Sequence, residues 1–108
     1  MINFVGAGPG AKDLITVRGL ELLRTADIII YAGSLVNPEL LQEAAVGCRI
    51  YNSAYMTLDE VVKVMIDGER SGYKVVRLHT GDPSLYGAIR EQMDRLEEAG
   101  IGYQVCPG

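Results

Sequence analysis

The chain has no cluster of lysine or arginine anywhere along its 108 residues, and its formal net charge is −4. Nucleic acid and anionic membrane both need a basic footprint, so neither is expected as a partner and a small molecule is favoured. Long apolar runs are also missing. The longest uncharged one, Ile28-Ile29-Ile30-Tyr31-Ala32, falls far short of the ~20 residues that cross a bilayer. Met1-Ile2-Asn3-Phe4 lacks the positively charged start of a secretory leader, so a cytoplasmic location without a membrane partner is expected. The two cysteines, Cys48 and Cys106, lie far apart, without Cys-x-x-Cys spacing and with no histidine beside either. A zinc site or redox motif is therefore not expected, and both thiols should be reduced and buried. Only 4 prolines beside 13 glycines, with 48% hydrophobic and 22% charged residues, exclude disorder, collagen and coiled coil. At this length a chain buries somewhat over ~60% of the surface its unfolded form exposes, which supports one core and one domain.

What is present is one theme repeated: a short apolar run, a cluster of Gly, Ser, Asn or Pro, then a stretch of helical periodicity. The runs are Ile2 to Val5, Asp27 to Tyr31, Arg49 to Tyr51, Lys74 to His79 and Gly102 to Cys106. Most are continuous rather than alternating, as strands covered on both faces of a parallel sheet require. Between them, Thr57-Leu58-Asp59-Glu60 has capping-box spacing, with Met56 placed to staple against Val61. Leu58, Val61, Val62 and Met65 follow the i, i+3, i+4, i+7 rule, and Gly72 offers a stop. A last helix should begin after Asp82-Pro83, with Asp82 as N-cap, and bury Leu85, Ile89, Met93 and Leu96 before Gly100. Two more helices are expected, from about Leu14 to Thr25 and near Pro38 to Ala45. Strand and helix alternating through five strands imply right-handed crossovers and a three-layer α/β/α sandwich around a five-stranded parallel sheet. The chain stops on Pro107-Gly108 directly after the fifth strand, as a boundary between domains would.

Ligands of open parallel sheets bind outside the carboxyl ends of the strands. The segments leaving those ends are Gly6-Ala7-Gly8-Pro9-Gly10, Ala32-Gly33-Ser34, Asn52-Ser53-Ala54, Thr80-Gly81-Asp82-Pro83 and Pro107-Gly108. Small side chains let a ligand reach backbone amides and carbonyls, although turn chemistry alone also selects Gly and Pro. The first segment reads G-x-G-x-G rather than G-x-G-x-x-G, and Pro9 removes an amide where a phosphate would need one. No acid stands at the end of the second strand and no Gly-Lys-Ser/Thr occurs, so neither a dinucleotide site nor a P-loop is indicated. Asp82 is the rim's best-placed acid. It serves as an N-cap and could also accept hydrogen bonds from a ribose or ligand ammonium. His79, the single histidine, fits a buried hydrogen-bonded imidazole better than a base. Arg90 lies one helical turn beyond Tyr86 on a face expected to be solvated, and could instead meet a substrate carboxylate.

Val5-Gly6-Ala7-Gly8-Pro9-Gly10 with Asp13-Leu14-Ile15-Thr16 and Gly19, then Ala26-Asp27-Ile28-Ile29-Ile30-Tyr31, then Thr80-Gly81-Asp82-Pro83, resemble the amino-terminal domain of the S-adenosylmethionine-dependent tetrapyrrole methylases over essentially the whole chain. Tyr31-Ala32-Gly33-Ser34-Leu35-Val36 and the stretch from Leu78 to Gln92 are similar to the branch that methylates precorrin-4 or cobalt-precorrin-4 at C11. The resemblance implies a homodimer of two-domain subunits, with residues 1–108 as the first domain and a carboxy-terminal one beyond this chain. S-adenosylmethionine would lie between the domains and the tetrapyrrole in a trough above the first. It further implies cofactor contacts from Pro9, Thr80, Gly81, Asp82 and Leu85, while Ser34, Ser53 and Arg90 are substrate candidates by position. The related uroporphyrinogen methylases carry an acid after the second-strand tyrosine, assigned as a base. Ala32 stands in that place here, which argues against their reaction and leaves no evident catalytic residue. Other members acting on sirohaem precursors, diphthine or ribosomal RNA are alternatives, as is a non-enzymatic ligand-binding or receiver-like α/β domain, although a receiver would need a cluster of acids at this edge.

Overall fold

A computed structural model describes residues 1–7, 15–32, 38–80 and 86–106. The five expected strands form, as β1 (Ile2–Ala7), β2 (Ile28–Tyr31), β3 (Arg49–Asn52), β4 (Val75–Thr80) and β5 (Tyr103–Cys106). They make one parallel sheet in the order β3-β2-β4-β1-β5. Three α-helices accompany them, α1 (Val17–Thr25), α2 (Leu58–Arg70) and α3 (Tyr86–Glu98).

Alternation along each strand sorts the apolar residues to two faces. Ile2, Phe4, Ile28, Ile30 and Val75 pack against Val61 and Met65 of α2 and Ile89 and Leu96 of α3. Val5, Ile29, Val76, Leu78 and Cys106 pack against Leu23 of α1 and against Leu40, which lies in a short 3-10 helix over Pro38–Glu43. Both faces of the central strands β1, β2 and β4 are covered, so their sequences read as continuous apolar runs, whereas Ile50 and Val105 on the edge strands β3 and β5 are exposed. This is the three-layer sandwich expected from the sequence.

Local chemistry fixes the ends of the helices. Thr57 Oγ1 accepts from the Glu60 amide at 3.1 Å and Glu60 Oε1 accepts from the Thr57 amide at 2.9 Å, which completes the capping box. At the far end Gly72 takes φ +81°, and the Tyr73 amide reaches back to the Gly68 carbonyl at 2.9 Å. The same closure recurs after α3, where Gly100 takes φ +74° and the Ile101 amide bonds the Leu96 carbonyl at 2.9 Å. Both are Schellman stops, which need the left-handed conformation that glycine adopts without a Cβ penalty. An ion pair between Arg95 and Asp59 links α3 to α2.

Four expectations are adjusted. Helix α1 starts at Val17 because Thr16 Oγ1 accepts the Gly19 amide at 3.1 Å and makes Thr16 the N-cap; Leu14 lies outside the described residues. The segment expected near Pro38 to Ala45 winds as a 3-10 helix, the form short connecting turns take. Leu58 is only partly buried, so the α2 core stripe is Val61, Val62, Met65 and Gly68. Cys106 is buried, but Cys48 is only half-buried; desolvation and the Asp27 carboxylate push its thiol pKa up. The expected start of α3 at Asp82-Pro83, with Leu85, lies outside the described residues. Among the described residues no helix is long and apolar enough to cross a membrane.

Candidate functional site

The sheet order places the site. The helices that follow β1 and β2 in the chain, α1 and the 3-10 helix over Pro38–Glu43, lie on one face of the sheet, whereas α2 and α3, which follow β3 and β4, lie on the other. Strands β1 and β4 are neighbours in register, with Ala7 opposite Thr80, and the helices that follow them, α1 and α3, pack on opposite faces. A divergence of this kind, at the carboxyl ends of neighbouring strands, is the position at which doubly wound sheets bind ligands. The segments that begin there are the two glycine-containing motifs, residues 8–14 and 81–85. Of the expected cofactor residues, Thr80 closes β4 beside Ala7, and Pro9, Gly81, Asp82 and Leu85 lie outside the described residues. Ser34 lies outside them as well.

A cavity of 310 Å³ opens beside this edge, over β2 and β4 on the α2/α3 face, with Ala32, Ser53, Ala54, Thr57, Arg77 and Gln92 among its walls. Ser53 Oγ donates to the Tyr31 carbonyl at 3.0 Å, which holds the turn after β3 against the end of β2. Asn52 Oδ1 accepts the Ala54 amide at 2.9 Å and shapes that turn. Ala32, standing where the uroporphyrinogen methylases were expected to differ, is a wall of the cavity and brings no titratable group to it. Of the three substrate candidates Ser53 reaches the cavity, whereas Arg90 is exposed on α3, 3.3 Å from Asp94, and is not part of its lining. His79 is buried on the same face of β4 as Arg77.

One residue in the cavity wall was not anticipated. Arg77 is 5% exposed, with Nε 3.0 Å from Gln92 Oε1 and Nη1 3.3 Å from the Ile30 carbonyl. Burial pushes its guanidinium pKa down to about 10, which leaves it protonated at neutral pH. A signal existed, since Val75-Val76-Arg77-Leu78 places a single charge inside an otherwise apolar strand. A charge there must be paired, hydrogen-bonded or functional.

With fold and geometry in place, a family model for the Tetrapyrrole (Corrin/Porphyrin) Methylases matches residues 1–108. The chain belongs to the tetrapyrrole methylases. It is 55% identical over 107 residues to a cobalt-precorrin-4 C(11)-methyltransferase of Methanocaldococcus jannaschii, an alignment that covers 99% of this chain and 41% of that protein. Among solved structures it matches a cobalt precorrin-4 methyltransferase of cobalamin biosynthesis with TM-score 0.92 and 48% identity, over 99% of this chain and 45% of the other. It also matches the uroporphyrin-III C-methyl transferase of Thermus thermophilus in complex with S-adenosylhomocysteine, with TM-score 0.79 and 31% identity, over 99% and 44% of the two chains. The chain therefore spans less than half the length of these tetrapyrrole methylases.

Proposed function

We propose that this chain is the amino-terminal domain of an enzyme that transfers the methyl group of S-adenosylmethionine to C11 of precorrin-4 or cobalt-precorrin-4 in cobalamin biosynthesis. The observation that carries the reading is the high identity to precorrin-4 C11-methylating proteins, spread over nearly the whole chain. A second domain beyond residue 108 supplies the other wall of the cofactor site, and the complete enzyme works as a cytoplasmic homodimer.

The cofactor suits the edge of this sheet. Ala7 and Thr80 stand side by side at the divergence of β1 and β4, and the motifs beginning there are built from Gly, Pro, Thr and Asp. Such residues admit a bulky ligand to the backbone. Pro9, Thr80, Gly81, Asp82 and Leu85 are the residues that would hold it. When bound, S-adenosylmethionine supplies an already activated methyl group on a sulfonium. The domain then has to hold the electron-rich carbon of the tetrapyrrole in line with that methyl and keep competing nucleophiles away. Orientation of this kind can supply ~7–11 kcal/mol of a barrier without an acid or a base. Ala32, where the uroporphyrinogen methylases carry an acid, is consistent with that economy.

The test is to supply the full-length protein with S-adenosylmethionine and precorrin-4 or its cobalt form, and to map the product by mass spectrometry and NMR. One new methyl at C11 is the expected result; a methyl elsewhere on the ring, or transfer only to a sirohaem precursor, diphthine or RNA, would overturn the reading. For Asp82, Asp82→Asn should weaken S-adenosylhomocysteine binding in calorimetry by about 10- to 100-fold, the worth of a hydrogen bond to a charged group, at nearly unchanged Tm. A lower Tm at unchanged affinity would leave Asp82 as a helix cap only.

A further inference from the structure

Arg77 is a buried cation at the wall of a cavity. A guanidinium has five N–H donors and no acceptor. Nε is committed to Gln92 Oε1, and Nη1 is directed at the carbonyls of Ile30 and Leu78, at 3.3 and 3.5 Å. Nη2 donates to no described residue. Gln92, 4% exposed, is constrained in the same way. Arginine cannot accept a hydrogen bond, so Oε1 of Gln92 must face it, and Nε2 remains a second donor with no described partner. Among the described residues no Asp or Glu pairs with Arg77; Glu91 reaches the cavity from the exposed side of α3 without bonding to it. Neutral carbonyls offset the desolvation of a buried charge only in part. Thr57 and Leu58, at the start of α2, line the same cavity.

We propose that this cavity is a carboxylate-binding subsite, in which Arg77 Nη2 and Gln92 Nε2 receive an acidic side chain of the ligand. The choice of an acidic tetrapyrrole as that ligand rests on the methyl-transfer reading above, whereas the preference for a carboxylate rests on the donors alone. The size fits: at about 30 Å³ for each water-sized unit, 310 Å³ admits a carboxylate on a short alkyl arm with room to spare. Ala32 and Ala54 contribute only small apolar side chains to its walls. The subsite would fix which edge of the macrocycle faces the carboxyl ends of β1 and β4, and so which ring carbon is presented.

The test uses the full-length protein and two porphyrin probes followed by fluorescence, uroporphyrin with its carboxylates free and the same ring with every carboxylate converted to an amide. Arg77→Met should weaken uroporphyrin binding by about 10- to 100-fold and leave the amide unchanged, with Arg77→Lys in between. Equal losses on both probes would mean that Arg77 only supports packing, and no loss on either would also overturn the subsite. If Arg77→Met does not fold, Ala54→Glu decides, because Ala54 is exposed in a turn and the new carboxylate would occupy the donors. Uroporphyrin should then be lost while Ala54→Gln retains it, and unchanged affinity in Ala54→Glu would overturn the proposal. Methyl transfer to precorrin-4 that survives Arg77→Met at unchanged KM would remove the subsite and leave the proposed function standing. Absence of transfer by the wild type would remove that function while the two-probe comparison still decides the subsite.

Discussion

Phe4→Ala is expected to destabilise the 108-residue chain by about 3–5 kcal/mol, the cost of removing a fully buried aromatic ring and leaving part of its cavity. Phe4 is the only phenylalanine, 0% exposed, on a strand with neighbours on both sides. Its ring meets Tyr103 of β5 edge-on, with centroids 5.5 Å apart and planes at 77°, an arrangement worth more than its area alone. Tyr103 is itself held, its hydroxyl donating to Glu97 Oε1 at 2.7 Å. One substitution therefore loosens β1 from β5 and from the α2/α3 layer together. A domain of this size has on the order of 5–15 kcal/mol of stability, so the variant should melt at least about 12 °C lower and be partly unfolded at modest denaturant. Thermal and urea unfolding followed by circular dichroism would measure this. A loss below about 1 kcal/mol would mean that the ring is not the keystone of that layer.

The second large effect concerns activity. The 108-residue chain should fold and yet transfer methyl groups at least about 10²-fold more slowly than the longer protein that contains it. The reading behind this is that the reaction depends on alignment, and misplacement of a reacting group by only about 1 Å already costs that much. Under the proposed function, one wall of the cofactor site comes from beyond residue 108. Side-by-side turnover of the two forms with S-adenosylmethionine and precorrin-4 is the measurement. Comparable rates would show that these 108 residues hold a complete site and would refute the two-domain reading.

How much of this was legible in the sequence depends on how local each feature is. Thr57 and Glu60 are three residues apart and satisfy each other's backbone, so their pattern predicts the start of α2 without reference to anything else. Gly72 and Gly100 likewise mark stops that only a left-handed residue completes. Helix α1 begins later than its periodicity predicts, because Thr16 rather than an upstream residue supplies the capping oxygen. The half-exposure of Cys48 escaped as well: a thiol's apolar character says nothing about where a turn places it.

The candidate site divides along the same line. Its motifs were visible as glycine- and proline-containing segments after apolar runs. The role of Arg77 is not legible in the sequence, because a charge within a strand is ambiguous until its face is known and Gln92, 15 residues onward, meets it only in the fold. Arg90 lies toward solvent beside Asp94, on the solvated face that its helical spacing predicts, since spacing gives a face and not what the face meets.

The sequence by itself determined the class of fold, the positions of its strands, the capping box of α2 and its glycine stop, and the family, because these follow from periodicity, turn chemistry and short motifs. Only the tertiary structure decided that β1 and β4 lie side by side, so that motifs more than seventy residues apart begin at one level of the sheet. It also decided that Arg77 and Gln92 share one cavity wall. Strand order and side-chain convergence are set by packing between distant segments, and that is a property no local pattern carries.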